Sequence, residues 1–179
     1  MQKVKVKDKD FELFISENQI QKAIDDVVEK MQTDLKDKNP LFIAILNGAF
    51  MFASDLFKKY SGDCQISFVK YASYSGTQTT GQVITLIGSN EQVTGRTVVI
   101  LEDIVDSGIT MEQVVKDIKV FNPLDVKIAT LLFKPDAFIK NYSIDYVGIS
   151  IPNDFIVGYG LDYDGYGRNL KDIYKIVSS

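Results

Sequence analysis

Val98-Val-Ile-Leu-Glu-Asp-Ile-Val-Asp-Ser-Gly-Ile-Thr110 is the stretch around which the rest of the chain is organised. It opens with Val98 to Leu101, an apolar run rich in β-branched residues, which predicts a strand buried on both faces. Glu102 and Asp103 stand at that strand's carboxyl end and Asp106 follows. Ser107-Gly-Ile-Thr110 makes a tight turn, and Met111 to Phe121 reads as a helix. A helix start presents unpaired N–H groups and the positive end of its dipole, which suits an anion such as phosphate. Gly108 lets the backbone come close, and Ser107 and Thr110 can donate hydroxyls. The three carboxylates would repel that anion, so they must face sugar hydroxyls, a Mg²⁺ ion or a proton to be removed. A ligand carrying phosphate, vicinal hydroxyls and a bound metal satisfies all of these together. The order of strand, acids and helix also occurs in receiver-like Mg²⁺-binding domains, which is the plainer alternative.

The whole chain narrows the classes. Its 179 residues with 45% hydrophobic content predict one domain, residues 1–179, with a sizeable core. A net charge of −4 without a basic stripe argues against a nucleic-acid partner. Histidine is absent, which excludes a Ser-His-Asp triad, a Cys-His pair and any imidazole-built zinc site. General base work therefore falls to a carboxylate, Lys or Tyr. The single cysteine, Cys64, has no internal partner and sits in a strand-like pattern that assigns it to packing. With no signal peptide and no apolar run near 18 residues, the expectation is a cytoplasmic protein without a membrane span.

Outward from the central stretch, residues 1–15 mix charged and apolar types with weak signal. Ser16-Glu-Asn-Gln19 has capping-box spacing, and Ile20, Ile24, Val27, Met31 and Leu35 follow at helical intervals. Leu41 to Leu46 reads as a buried strand, Asn47-Gly48-Ala49 as a turn and Phe50 to Tyr60 as a helix, a second strand–turn–helix unit. Strands are predicted at Gln65 to Tyr71 and Val83 to Ile87, separated by a polar segment without apolar period. Asp125 to Phe133 is the next strand, ended by Lys134-Pro135. Tyr146 to Ile151 is another, Pro152-Asn-Asp154 turns, Phe155 to Val157 returns, and residues 170–177 close the structure as a strand.

These residues resemble the type I phosphoribosyltransferase family, and specifically its 6-oxopurine (hypoxanthine or hypoxanthine-guanine) branch. The likeness runs from about Leu41 to Arg168. It rests on the central stretch, which matches the phosphoribosyl pyrophosphate motif, on Lys134, and on Phe155-Ile-Val-Gly-Tyr-Gly-Leu-Asp-Tyr163. The resemblance implies an α/β fold: a parallel sheet flanked by helices, a small hood from the N-terminal residues and about 134–179, and a mobile loop at about 72–82 in which Ser73 and Tyr74 match a Ser-Tyr pair. It implies transfer of 5-phosphoribosyl from phosphoribosyl pyrophosphate to N9 of hypoxanthine or guanine, giving IMP or GMP and pyrophosphate, with Mg²⁺ and a homodimer or homotetramer. Carried over residue by residue, Asp106 is the catalytic base. Asp106, Ser107, Gly108, Ile109 and Thr110 hold the 5-phosphate, and Glu102 and Asp103 hold the ribose and metal. Leu46, Asn47, Gly48 and Arg168 hold pyrophosphate, with a cis Leu46–Asn47 bond. Lys134, Phe155, Ile156 and Asp162 hold the purine, Asp162 also facing a metal. Two departures stand out: Asn47 and Ile109 occupy places where many or some relatives carry Lys. Within the fold, a regulator sensing the same ligands without catalysis, or an enzyme for another base, remain the alternatives.

Overall fold

The computed structural model describes residues 2–70, 85–87 and 92–177, the middle segment by its backbone. Its elements run β1 (Lys3–Val6), β2 (Lys9–Ile15), α1 (Glu17–Asp34), β3 (Leu41–Leu46), α2 (Phe50–Lys59), β4 (Gln65–Lys70), β5 (Thr85–Ile87), β6 (Thr97–Val105), α3 (Ile109–Lys119), β7 (Asp125–Phe133), β8 (Tyr146–Ser150), β9 (Ile156–Val157) and β10 (Ile173–Ile176). The predicted segment Ser73–Tyr74 lies outside the described residues.

The larger sheet has the order β5-β4-β3-β6-β7-β8. Strands β4, β3, β6, β7 and β8 are mutually parallel, and β5 pairs antiparallel on the edge. Continuous apolar strands need cover on both faces, and the helices supply it. Ile24, Val27, Met31 of α1 and Phe52, Leu56 of α2 pack with Phe42, Val99 and Leu101 on one face. Met111, Val114 and Ile118 of α3 pack with Leu41, Ile43, Val98 and Ile100 on the other. Helix α1 starts as its spacing predicts. Ser16 accepts from the Gln19 N–H while the Gln19 side chain accepts from the Ser16 N–H, a complete capping box.

A second sheet, β1-β2-β10-β9, is antiparallel and joins the chain's two ends. Its own apolar cluster contains Val6, Phe11, Val157 and Tyr174. Residues 3–15 thus form a hairpin where the sequence signal is weak, with Lys7 at φ 55 in the turn. Strand β8 lies in the larger sheet, and among the described residues of the 134–179 segment β9 and β10 enter the smaller one. Cys64 is a free thiol packed on the core immediately before β4. No helix among the described residues is long and apolar enough to cross a membrane.

Two boundaries differ from expectation around the central stretch. Strand β6 does not stop at Leu101: it runs to Val105, carried by parallel pairing with β7 as far as Val105–Phe133. Glu102 and Asp103 therefore sit within a strand, and the acidic loop reduces to Asp106. Helix α3 begins at Ile109, two residues before Met111, because Gly108 takes the left-handed conformation (φ 81) at its cap.

Candidate active site

The strand order creates a topological switch point. From β3 the chain leaves through α2 on one face of the sheet, and from the adjacent β6 it leaves through α3 on the other. The two loops part, opening a crevice beyond the strands' carboxyl ends, where open α/β sheets take ligands.

Within β6 the regular alternation of faces breaks at Asp103. Leu101 and Ile104 both belong to the layer that faces α1 and α2, although three residues apart. The ladder to β7 skips Asp103, whose own carboxylate takes the Ile104 N–H at 2.8 Å. The Asp103 N–H in turn donates to Glu102 Oε1 at 3.1 Å. Burial, with Asp103 alongside, raises the Glu102 carboxyl well above the usual carboxylate range. Burial also raises Asp103, opposed by its hydrogen bonds and by the charge of Arg168.

The loop after β3 lies against this pair. The Leu46–Asn47 peptide is cis. A Cβ added to Gly48 would stand 2.5 Å from Asp103 Cγ, so only a bare Cα fits there. Gly160, at φ 96, likewise leaves no room for a Cβ against the Gly48 carbonyl. Three segments distant in sequence, residues 46–49, Asp103 and the loop at 158–161, thus touch at two glycines. A further tie holds them. The hydroxyl of Tyr159 donates to Asp55 Oδ2 on α2 at 2.5 Å, and Gln21 of α1 donates to the same oxygen at 2.7 Å.

The turn after β6 is braced from outside. The Tyr142 hydroxyl donates to the Gly108 carbonyl at 2.7 Å, and Ile139 N–H donates to the Ser107 carbonyl at 3.2 Å. The Phe138 ring covers Gly108, where a Cβ would stand 2.9 Å from its Cδ2. A cavity of about 100 Å³ opens beside the turn, lined by Glu102, residues 104–108, Thr110 and Met111. At about 30 Å³ per water in the liquid, it has room for a small anion. Asp106 and Thr110, both lining it, are exposed, as is Ile109 between them in the chain.

Lys134 follows β7 and is buried to 8% exposure. Its ammonium lies 3.3 Å from Asp106 Oδ2 and 3.2 Å from Asn153 Oδ1. The lysine predicted from the sequence and the carboxylate predicted as base are therefore neighbours. Arg168 is held by Asp162 Oδ1 at 2.6 Å and by the Gly160 carbonyl at 2.6 Å. Among the described residues no three carboxylates gather as a metal cluster, and Asp162 lies with Arg168 rather than with Glu102 and Asp103. Phe155 is 47% exposed, its ring packed edge-on against Tyr163 at 5.9 Å and backed by the buried Phe11 at 6.3 Å. Ile156 is buried in the main core cluster. Asn153, Tyr159 and Tyr142 were not singled out from the sequence. Asn153 reads only as a turn residue after Pro152, Tyr159 lies inside the Phe155–Tyr163 run without a role of its own, and Tyr142 carries no signal.

A model of the phosphoribosyl transferase domain matches residues 15–164. The chain belongs to that family. The phosphoribosyltransferase domain is 38% identical over 168 residues to the hypoxanthine-guanine phosphoribosyltransferase of Mycobacterium bovis, covering 90% of this chain and 83% of the relative. It is 39% identical over 162 residues to the bifunctional protein TilS/HprT of Listeria monocytogenes, but spans only 25% of that protein's length. Among solved structures, a hypoxanthine-guanine phosphoribosyltransferase from Bacillus anthracis superposes with a TM-score of 0.83 at 33% identity, over 93% of this chain and 97% of that one. The fold described above is thus shared with that solved structure.

Proposed function

We propose that the protein transfers the 5-phosphoribosyl group of phosphoribosyl pyrophosphate to N9 of hypoxanthine or guanine, releasing pyrophosphate. The observation that carries this reading is the meeting of Asp103, Gly48 and Gly160 at the switch point, with the Gly108 turn and its cavity at the other end of the same acidic pair. A ligand with an anion at each end and hydroxyls between them matches that layout.

The 5-phosphate sits at the turn of residues 106–110, on the N–H groups at the start of α3 and the hydroxyls of Ser107 and Thr110. Ile109 brings no cation, so backbone donors and the helix dipole carry the anion. Asn47 likewise lacks a charge, and pyrophosphate rests on the 46–48 backbone and Arg168. The guanidinium has five donors, so it can reach the leaving group without giving up Asp162.

Glu102 and Asp103 suit a hard dication, because burial makes ionisation costly for both and the Asp103 charge adds to the cost at Glu102, a cost that a bound cation would offset. Mg²⁺ ordinarily takes one or two protein carboxylates and completes its shell with substrate oxygens and water. When bound, it would neutralise charge developing on the departing pyrophosphate. Asp162 would face a second ion or the base from its place beside Arg168.

The base lies between Phe155 and Lys134, with the Ile156 backbone at its edge. As the bond from C1′ to pyrophosphate breaks, N9 attacks C1′ and the proton on N7 passes to Asp106. Lys134 selects the base. Its ammonium only donates, so it complements the oxygen at C6 of hypoxanthine or guanine and faces a second donor in adenine. The test is the purified protein with phosphoribosyl pyrophosphate, Mg²⁺ and a panel of free bases, with Asp106→Asn as control. Nucleotide formed from oxopurines and not from adenine supports the reading; no product from any base refutes it.

A further inference from the structure

Resting on that reading, we infer that Asn153 is a positioning residue that sets where the Lys134 ammonium stands between the base and Asp106. The side chain of Lys134 is nearly buried, yet Nζ has two acceptors from different parts of the chain: Asp106 Oδ2 at 3.3 Å, after β6, and Asn153 Oδ1 at 3.2 Å, between β8 and β9. A hydrogen bond from an ammonium to a carboxylate in full contact measures about 2.7–2.9 Å. Nζ therefore stands short of full contact with either oxygen. The neutral amide draws the cation away from a carboxylate that would otherwise hold it alone.

This arrangement matters to both partners. An ammonium has three N–H donors. Asp106 and Asn153 engage two, and the third is left for the acceptor on the base. Without Asn153 the ammonium is free to close onto Asp106, since the attraction between opposite charges grows as they approach. Its remaining donor then swings off the base, and the carboxylate that must accept a proton is tied up by a tighter ion pair.

The location of Asn153 also fits the role. It is exposed, two residues before Phe155, on the connection from β8 of the larger sheet to β9 of the smaller one. A residue there reports the position of the smaller sheet to a lysine rooted in the larger one, while contributing little to the core. Lys134 itself is anchored by its N–H to the Val105 carbonyl at 3.0 Å, at the end of β6.

The experiment compares wild type, Asn153→Ala and Asn153→Gln in the transfer assay, with separate KM values for hypoxanthine and for phosphoribosyl pyrophosphate. Losing the hydrogen bond that shares the cation predicts a rise of about 10-fold or more in KM for hypoxanthine with Asn153→Ala. KM for phosphoribosyl pyrophosphate should stay within about two-fold, because that ligand's contacts do not pass through Lys134. Asn153→Gln keeps a neutral amide acceptor and should recover most of the loss. The inference is overturned if Asn153→Ala leaves KM for hypoxanthine unchanged, if both KM values rise together, or if the Gln variant behaves like the Ala variant. A wild-type protein inactive with both hypoxanthine and guanine instead overturns the transfer reading on which it rests.

Discussion

Replacing Gly48 by alanine tests whether the loop after β3 and the acidic pair form one unit. The added Cβ would stand 2.5 Å from Asp103 Cγ, where ordinary contact begins at 3.4 Å, so something must move by about 1 Å. Asp103 cannot easily yield, because its side chain is short, buried and fixed by the Ile104 N–H at 2.8 Å. The loop cannot retreat freely either, since the Gly48 carbonyl is packed against Gly160. Overpacking of this kind costs about 1–3 kcal/mol. For a chain of this size each kcal/mol lowers Tm by about 2–4 °C. The functional loss should be larger, because a displacement of about 1 Å in a positioning group can cost on the order of 100-fold in rate. Thermal unfolding and steady-state kinetics on Gly48→Ala together separate the two effects. A Tm lowered by a few degrees, with kcat/KM for phosphoribosyl pyrophosphate down about 100-fold, is the expected result. A variant with wild-type kinetics would refute the claim that this contact positions the leaving-group loop.

Asp106→Asn should lower kcat by about 10²–10⁴-fold, the usual worth of a positioned acid or base, while KM for phosphoribosyl pyrophosphate changes little; equal kcat in the variant would remove Asp106 from proton transfer. Phe11→Ala deletes a fully buried ring behind Phe155, so it should destabilise by about 3–5 kcal/mol in urea unfolding and raise KM for the base; an unchanged base KM would separate the smaller sheet's core from base stacking. Burial pushes the Tyr142 hydroxyl up to about 12 from 10. Because the folded value is the higher one, its contribution is fully present below pH 10 and is lost as pH rises through 12. Tyr142→Phe should therefore be less stable than wild type at pH 8, by about 1 kcal/mol for the lost bond to Gly108, with the gap closing at high pH; a constant gap in unfolding free energy would exclude this linkage.

Much of the frame was legible because hydrophobic period and capping act locally. The apolar runs at Leu41–Leu46 and Val98–Leu101 can only be buried strands, and Ser16 with Gln19 marks a helix start by chemistry that needs no tertiary context. Where local and tertiary forces disagree, the reading failed. Acidic residues are poor strand formers, so Glu102 and Asp103 looked like loop, yet pairing with β7 carries them to Val105. The first hairpin hid behind alternating lysines, although Val4 and Val6, then Phe11, Leu13 and Ile15, keep a period of two that pairing with β10 makes decisive. The site's individual residues were visible as motifs, but their mutual contacts were not. Nothing in a linear pattern tells that Gly160 rests on Gly48, that Tyr159 reaches Asp55, or that Asn153 shares a lysine with Asp106.

Those contacts explain how a crevice can hold so many charges before any ligand arrives. Lys134 stands by Asp106, and Arg168 is paired with Asp162, so each cation awaiting the ligand already has a carboxylate partner. Ion pairs in partly buried places remain favourable only with good geometry and further hydrogen bonds: Arg168 has both, 2.6 Å from Asp162 and bonded to the Gly160 carbonyl, while Lys134, 3.3 Å from Asp106, gains a second acceptor in Asn153. Glu102 and Asp103 differ. Neither has a cation within ion-pairing distance among the described residues, and burial favours holding protons over charge on both. The crevice is thus balanced around Lys134 and Arg168 and unbalanced at one place, in the middle of β6. On the proposed reading, charge complementarity would direct a dication to that place and the two ends of an anionic sugar to either side of it. This polarity follows from the continuation of β6 to Val105, which sets Asp103 against the loop at Gly48 and Glu102 beside the turn before α3.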